Sequence, residues 1–118
     1  MNGEENRDKL LEEKAYLADL LSIYGSLLRK NVYQRMEAFY FEDFSLSEIA
    51  QNEGVSRNAV YESLLSGVKQ LKKYEDKLGC YKKREKSYVL LDKLEECKDE
   101  DEKKKITEEL KGVLRNGI

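Results

Sequence analysis

Behind Ser56 stand Arg57, Asn58, Tyr61 and Glu62, and further along the same run come Leu65, Lys69, Lys72 and Lys73. When the start of a helix enters the major groove of DNA, a guanidinium and a carboxamide each pair with one base edge through two hydrogen bonds, Arg with guanine and Asn with adenine. Arg57, Asn58, Tyr61 and Glu62 are therefore the candidate base-reading residues. Serines at helix starts meet phosphates together with the unpaired backbone amides there, which gives Ser45, Ser47 and Ser56 that part; Lys69, Lys72 and Lys73 add positive charge. Other chemistry is sparse. Histidine is absent, and Cys80 and Cys97 are too few thiolates for a structural zinc site. They are read as reduced thiols. With no Gly-rich phosphate loop and no activated nucleophile, the protein is read as non-enzymatic, with no catalytic residue, metal or cofactor.

Base reading needs a helix presented on a fixed corner, and the stretch from Ser45 to Leu71 has that pattern. Leu46, Ile49 and Ala50 lie at helical spacing, Gly54 and Val55 interrupt, and Ser56 opens a run with Ala59, Val60, Leu64, Val68 and Leu71. Ser45 and Glu48 make a capping box, in which hydroxyl and carboxylate each satisfy a backbone N–H that lacks a helical partner. Gly54 suits the left-handed end of the first helix, Val55 is expected to plug the space between the two, and Ser56 to cap the second. The pattern is a helix-turn-helix over residues 45–73. At about 100° per residue, Val60, Leu64, Gly67, Leu71 and Tyr74 fall on a core-facing side. Asn58, Glu62, Leu65, Lys69 and Lys73 fall opposite, with Arg57 and Tyr61 at the flanks. Leu65, near the middle of that outward side, suits a thymine methyl or, equally, a protein surface. The same face can also be merely solvated.

The 118 residues suit one small domain, and 40% hydrophobic with 39% charged residues and no proline predicts an all-α protein. Leu10, Leu17, Leu21, Tyr24 and Leu28 mark an N-terminal helix to about Arg29, whose stripe is covered by the other helices or forms a dimer seam. Gly25 within it signals a close helix contact or a bend. Val32, Tyr33, Met36, Phe39 and Tyr40 mark a second helix over 31–41, and Phe44 is placed to staple onto Ile49. Beyond the motif, apolar residues from Leu71 to Leu94 continue at helical spacing, and Gly79 can divide or kink that helix. Asp99 and Glu102 can cap a last helix with Ile106, Leu110, Val113 and Leu114 on its apolar face. The organisation expected is a flexible start over 1–9, a helical domain over 10–78 and a C-terminal helical hairpin over 79–118.

Net charge is −2 and the isoelectric point about 5.4, which counts against strong nucleic-acid binding. The charge is unevenly spread. Between Glu37 and Glu62 six acids face one base, Arg57, whereas Lys69 to Lys86 holds eight bases against three acids. No apolar run approaches the ~18 residues that span a bilayer, and MNGEENRDK is too polar for a secretory signal, so a cytoplasmic protein without a membrane partner is expected.

The residues from Leu28 to Leu78, LRKNVYQRMEAFYFEDFSLSEIAQNEGVSRNAVYESLLSGVKQLKKYEDKL, with IYGSLL from Ile23, resemble the YlxM family of small bacterial helix-turn-helix proteins. They are also similar to region 4 of the sigma factors. GVSRNAVY after FSLSEIA is the specific part. The resemblance implies a sigma region 4-like helical bundle of the winged-helix-like DNA-binding superfamily and a DNA-binding regulator of transcription. Because such proteins are encoded beside the signal recognition particle GTPase, it also implies a link to components of that particle. The chain departs from the family where Arg29, Lys30 and Val32 replace a capping box before the second helix. It departs again where Leu65 and Ser66 replace a Lys-Arg pair, which removes phosphate contacts. The partners expected are thus DNA and, through the N-terminal stripe, a second copy. The alternative is a protein or RNA interaction module of the targeting machinery that uses the same helix and the basic segment 69–86.

Overall fold

The computed structural model describes residues 8–116, and all regular structure among them is helical. Most of the stretch read as a flexible start, residues 1–7, lies outside the described residues, while Asp8 and Lys9 already belong to a helical turn over 8–11. There follow α1 (Lys14–Tyr24) running into a 3-10 turn (Gly25–Leu27), α2 (Lys30–Tyr40), α3 (Leu46–Glu53), α4 (Arg57–Leu78), α5 (Cys80–Glu96) and α6 (Glu100–Arg115). They form two compact units, one through Asp76 and one from Lys77.

In the first unit, the N-terminal helix expected to run to about Arg29 is cut twice. Glu13 adopts the left-handed conformation, φ 57° and ψ 30°, and the last turn tightens to 3-10 at Gly25. A left-handed non-glycine residue costs about 1–2 kcal/mol. That cost is offset where the turn delivers Leu10 into the core: Tyr40 donates its hydroxyl to the Leu10 carbonyl at 2.8 Å. Burial pushes the Tyr40 phenol far up, which keeps it a donor. Gly25 answers to a close contact, since a Cβ there would lie 2.6 Å from the Tyr33 ring.

Leu17, Leu20, Leu21 and Tyr24 of α1 are all buried within the chain, so the stripe read as a core face or a dimer seam is a core face. With Val32, Met36, Phe39 and Tyr40 of α2 and Val60, Tyr61, Leu64 and Leu71 of α4 it forms the hydrophobic interior. Helices α2 and α4 come close at Gly67. A Cβ there would fall 2.3 Å from Met36 Sδ and 3.0 Å from Val32 Cγ1. Farther along, Tyr24 donates to Glu75 Oε1 at 2.7 Å, and its ring centroid is 5.9 Å from that of Tyr74.

The second unit holds the helix pair α5 and α6, and Gly79, at φ 63°, separates α5 from the end of α4. Leu90, Ser87 and Ile106 are its buried residues. Asp99 caps α6 by accepting from the Asp101 N–H at 3.2 Å, while Glu102 adds its charge to the first turn, where the helix dipole favours it. Leu114 is not part of the apolar face, being 61% exposed. In this last turn the inward direction belongs to Val113, which lines a hollow with Leu78, Lys82 and Lys86.

Two glycine substitutions separate packing from propensity. Gly67→Ala should destabilise by about 1–3 kcal/mol through overpacking against Met36 and Val32. Gly112→Ala, where an added Cβ meets nothing within 4 Å, should stabilise by about 0.5–1 kcal/mol. Denaturant titration that found Gly67→Ala neutral or stabilising would contradict the close approach of α2 and α4.

Candidate nucleic-acid interface

Hydrogen bonds between backbone and nearby side chains or carbonyls fix both ends of α3 and the start of α4. The Glu48 N–H donates to Ser45 Oγ and the Ser45 N–H to Glu48 Oε1, both at 3.0 Å, which completes the capping box. The Ser45 backbone N–H first, and its hydroxyl second, favour the charged Glu48 carboxyl and hold it below its usual value. At the other end Gly54 sits at φ 71° and ψ 32°. Its N–H donates to Gln51 O at 3.4 Å and that of Val55 to Ala50 O at 3.1 Å, a crossed pair that satisfies carbonyls left over at the helix end. Ser56 Oγ then accepts from the Ala59 N–H at 3.0 Å to start α4. Val55 does not plug the corner as expected. It closes the turn with its backbone while its side chain is 38% exposed, and the buried residues on either side are Ile49, Ala50 and Val60.

Two contacts fix α3 to the rest of the unit. Phe44 and Ile49 line one hollow with Ala38, the staple arrangement. Arg35 of α2 forks onto Glu53, with Nε donating to Oε1 at 2.9 Å and Oε2 at 3.0 Å, and Nη2 to Oε1 at 2.7 Å. Glu53 is the last residue of α3, where the dipole disfavours a negative charge, and the guanidinium offsets it. Glu53 in turn holds the guanidinium more firmly protonated. Sequence reasoning missed this pair because its members are 18 residues apart. An acid at a helix end with no local cation was the only signal.

On α4, Asn58, Glu62, Ser66, Lys69 and Lys73 are exposed within about 80° of arc, and Ser45, Ser47 and Ser56 are exposed beside the helix starts. Arg57 is half-buried at the flank. Two expected members of the face depart from it. Tyr61 is only 2% exposed and belongs to the core, so it is no base-reading residue. Leu65 is half-buried at the edge rather than central: it shares a groove with Leu10, Leu17, Val68 and Lys69. The reason is common to both. α4 is covered by α2 along the line of Gly67 and also by the N-terminal segment along Leu65 and Val68, which widens the buried arc on one side. Lys72, though exposed, lies 3.0 Å from Glu13 Oε2, so part of its charge is spent on that pair.

No group of three or more metal-ligating side chains occurs among the described residues, and no helix among them is long and apolar enough to cross a membrane. The cysteines are both half-buried, with Cys97 Sγ donating to the Asp99 carbonyl at 3.4 Å.

The capping box supplies a pH-dependent test. Ser45→Ala should destabilise by about 1 kcal/mol at neutral pH. Because the folded Glu48 pKa is depressed, its share of that difference is complete above the unfolded value of 4.5 and fades as pH falls through the lower folded one. Unfolding curves for wild type and variant that lay equally far apart at pH 7 and pH 3 would contradict this.

Comparison with known sequences agrees with this geometry. Residues 11–112 match the family described as "Putative helix-turn-helix protein, YlxM / p13 like", a description of a fold motif and not of an enzyme. A UPF0122 protein of Fusobacterium nucleatum subsp. nucleatum is 40% identical over 101 residues, covering 86% of this chain and 98% of its own length. One from Symbiobacterium thermophilum is 40% identical over 83 residues, 70% of this chain and 78% of its own. Another, from Halalkalibacterium halodurans, is 36% identical over 107 residues, 91% of this chain and 95% of its own. With its α3–turn–α4 corner and a match across most of its length, the chain belongs to the YlxM / p13-like helix-turn-helix family.

Proposed function

We propose that this protein is a DNA-binding regulator that reads the major groove through the opening turns of α4. The observation that carries the reading is the exposure of Asn58 and Glu62 one turn apart behind the Ser56 cap, with Ser45 and Ser47 exposed at the start of α3. In this reading Asn58 and Arg57 make the paired hydrogen bonds to bases, and Glu62 faces the groove beside them. Ser45, Ser47 and Ser56 meet phosphates with the helix-start amides, while Lys69, Lys73 and in part Lys72 supply charge. Leu65, at the edge of the face, is left a peripheral apolar contact. Such a regulator acts in the cytoplasm, and its link to the signal recognition particle rests on the family resemblance.

The charge distribution favours a second reading, an interaction module for a protein or RNA of the targeting machinery. Six acids against one base between Glu37 and Glu62 repel a phosphate backbone, and the bases gather instead over 69–86.

Fluorescence anisotropy with a random-sequence duplex pool, at low and at moderate salt, tests the first reading. Arg57→Ala with Asn58→Ala should weaken selected sites by about tenfold or more, and Leu65→Lys should strengthen binding and steepen its salt dependence. No binding at low salt, or equal binding by wild type and the double variant, would overturn it. A protein ligand whose affinity drops on Leu65→Lys would favour the second.

A further inference from the structure

The second unit carries a surface that the DNA-binding reading does not use, and that meets the basic segment of the second reading at Arg84 alone. Along α5, Arg84, Tyr88, Leu91 and Glu95 recur at intervals of four, three and four, within about 60° of arc. Tyr88 is 54% and Leu91 41% exposed, Glu95 is exposed, and the Arg84 side chain keeps 31% of its surface in solvent. The buried residues of α5, Ser87 and Leu90, lie on a neighbouring arc, so Tyr88, Leu91 and Glu95 stand clear of the packing that holds the helix in its unit, while Arg84 is half-buried at its edge. Its order is the informative feature. Read from one end it runs cation, aromatic, aliphatic, anion; an identical stripe running the opposite way sets Arg84 against Glu95 and Tyr88 against Leu91, and each pairing occurs twice.

We propose that α5 pairs antiparallel with α5 of a second copy of this chain, about a two-fold axis between Tyr88 and Leu91. A twofold interface requires a self-complementary patch, and this one is complementary in both charge and apolar character. The guanidinium of Arg84 lies 5.5 Å from the Tyr81 ring centroid and 3.6 Å from Glu85 Oε1 on the same helix, so it is positioned before a partner arrives, and Glu95 of a second copy would share it with Glu85. From Arg84 to Glu95 the seam is only about 16 Å long, shorter than stable interfaces use, so the pairing is reversible and concentration-dependent. It is independent of whether α4 reads DNA.

The test is a charge swap with mixing, followed by sedimentation velocity over a hundredfold range of concentration in low salt. Wild type should shift from monomer to dimer. Arg84→Glu and Glu95→Arg should each raise the concentration at the midpoint by at least about tenfold, because each variant sets like charges together twice. An equimolar mixture of the two should recover the wild-type midpoint, because in the mixed pair both contacts are again opposite in sign. Glu95 is exposed, so Glu95→Arg alone keeps the test valid if Arg84→Glu, whose side chain is half-buried, loses helicity. A wild type that stays monomeric throughout, a dimer indifferent to Glu95→Arg, or a mixture of two folded variants no better than either alone would overturn the proposal.

Discussion

A missing side chain holds the helix-turn-helix unit together. At Gly67, α2 comes close enough to α4 that Met36 and Val32 occupy the volume a Cβ would need. This approach places α2 where Arg35 can fork onto the end of α3, so α2 braces both helices of the corner at once. The corner itself is closed by Gly54, whose left-handed backbone turns the chain within three residues. With its length pinned on two flanks and its start capped by Ser56, α4 has one exposed arc remaining, and that arc begins with Asn58 and Glu62.

On the DNA-binding reading, the arrangement presents a braced helix with a poor electrostatic approach. A groove-binding helix ordinarily gains most of its affinity from phosphates, yet the residues from Glu37 to Glu62 are strongly acidic and Lys72 is engaged by Glu13. On the DNA-binding reading, the lysines at 69 and 73 must therefore carry much of the attraction, and affinity is modest and sensitive to salt. Pairing of two copies through α5 would fit such a weak reader, because a second contact made within one assembly raises overall affinity without any new contact to a base.

What could be read from the amino acids alone was chemistry confined to one turn of chain. Ser45 with Glu48, Gly54, Ser56 with Ala59 and Gly79 all act over four residues or fewer, and each stands where its type suggested. The misreadings share the opposite property. A helical wheel sets Leu65 outward and Tyr61 at the flank because it assumes one covered side, whereas the N-terminal segment, far away in sequence, covers a second. Glu13 breaks a helix that no local residue type would break, because Leu10 is drawn inward to meet Tyr40. Val55 has the right character for a plug and the wrong direction, which is set by the Gly54 turn before it.

Which amides of α3 and α4 sense a nucleic acid decides most directly whether α4 is a DNA-reading helix. Titration of the 15N-labelled protein with a mixed-sequence DNA duplex at low salt, followed by amide shifts, reads this residue by residue. The largest changes should fall at Ser45, Ser47, Arg57, Asn58 and Glu62, with the core amides of Leu64 and Leu71 nearly still. Shifts confined to α5 and α6, or none along the start of α4 at saturating duplex, would contradict it.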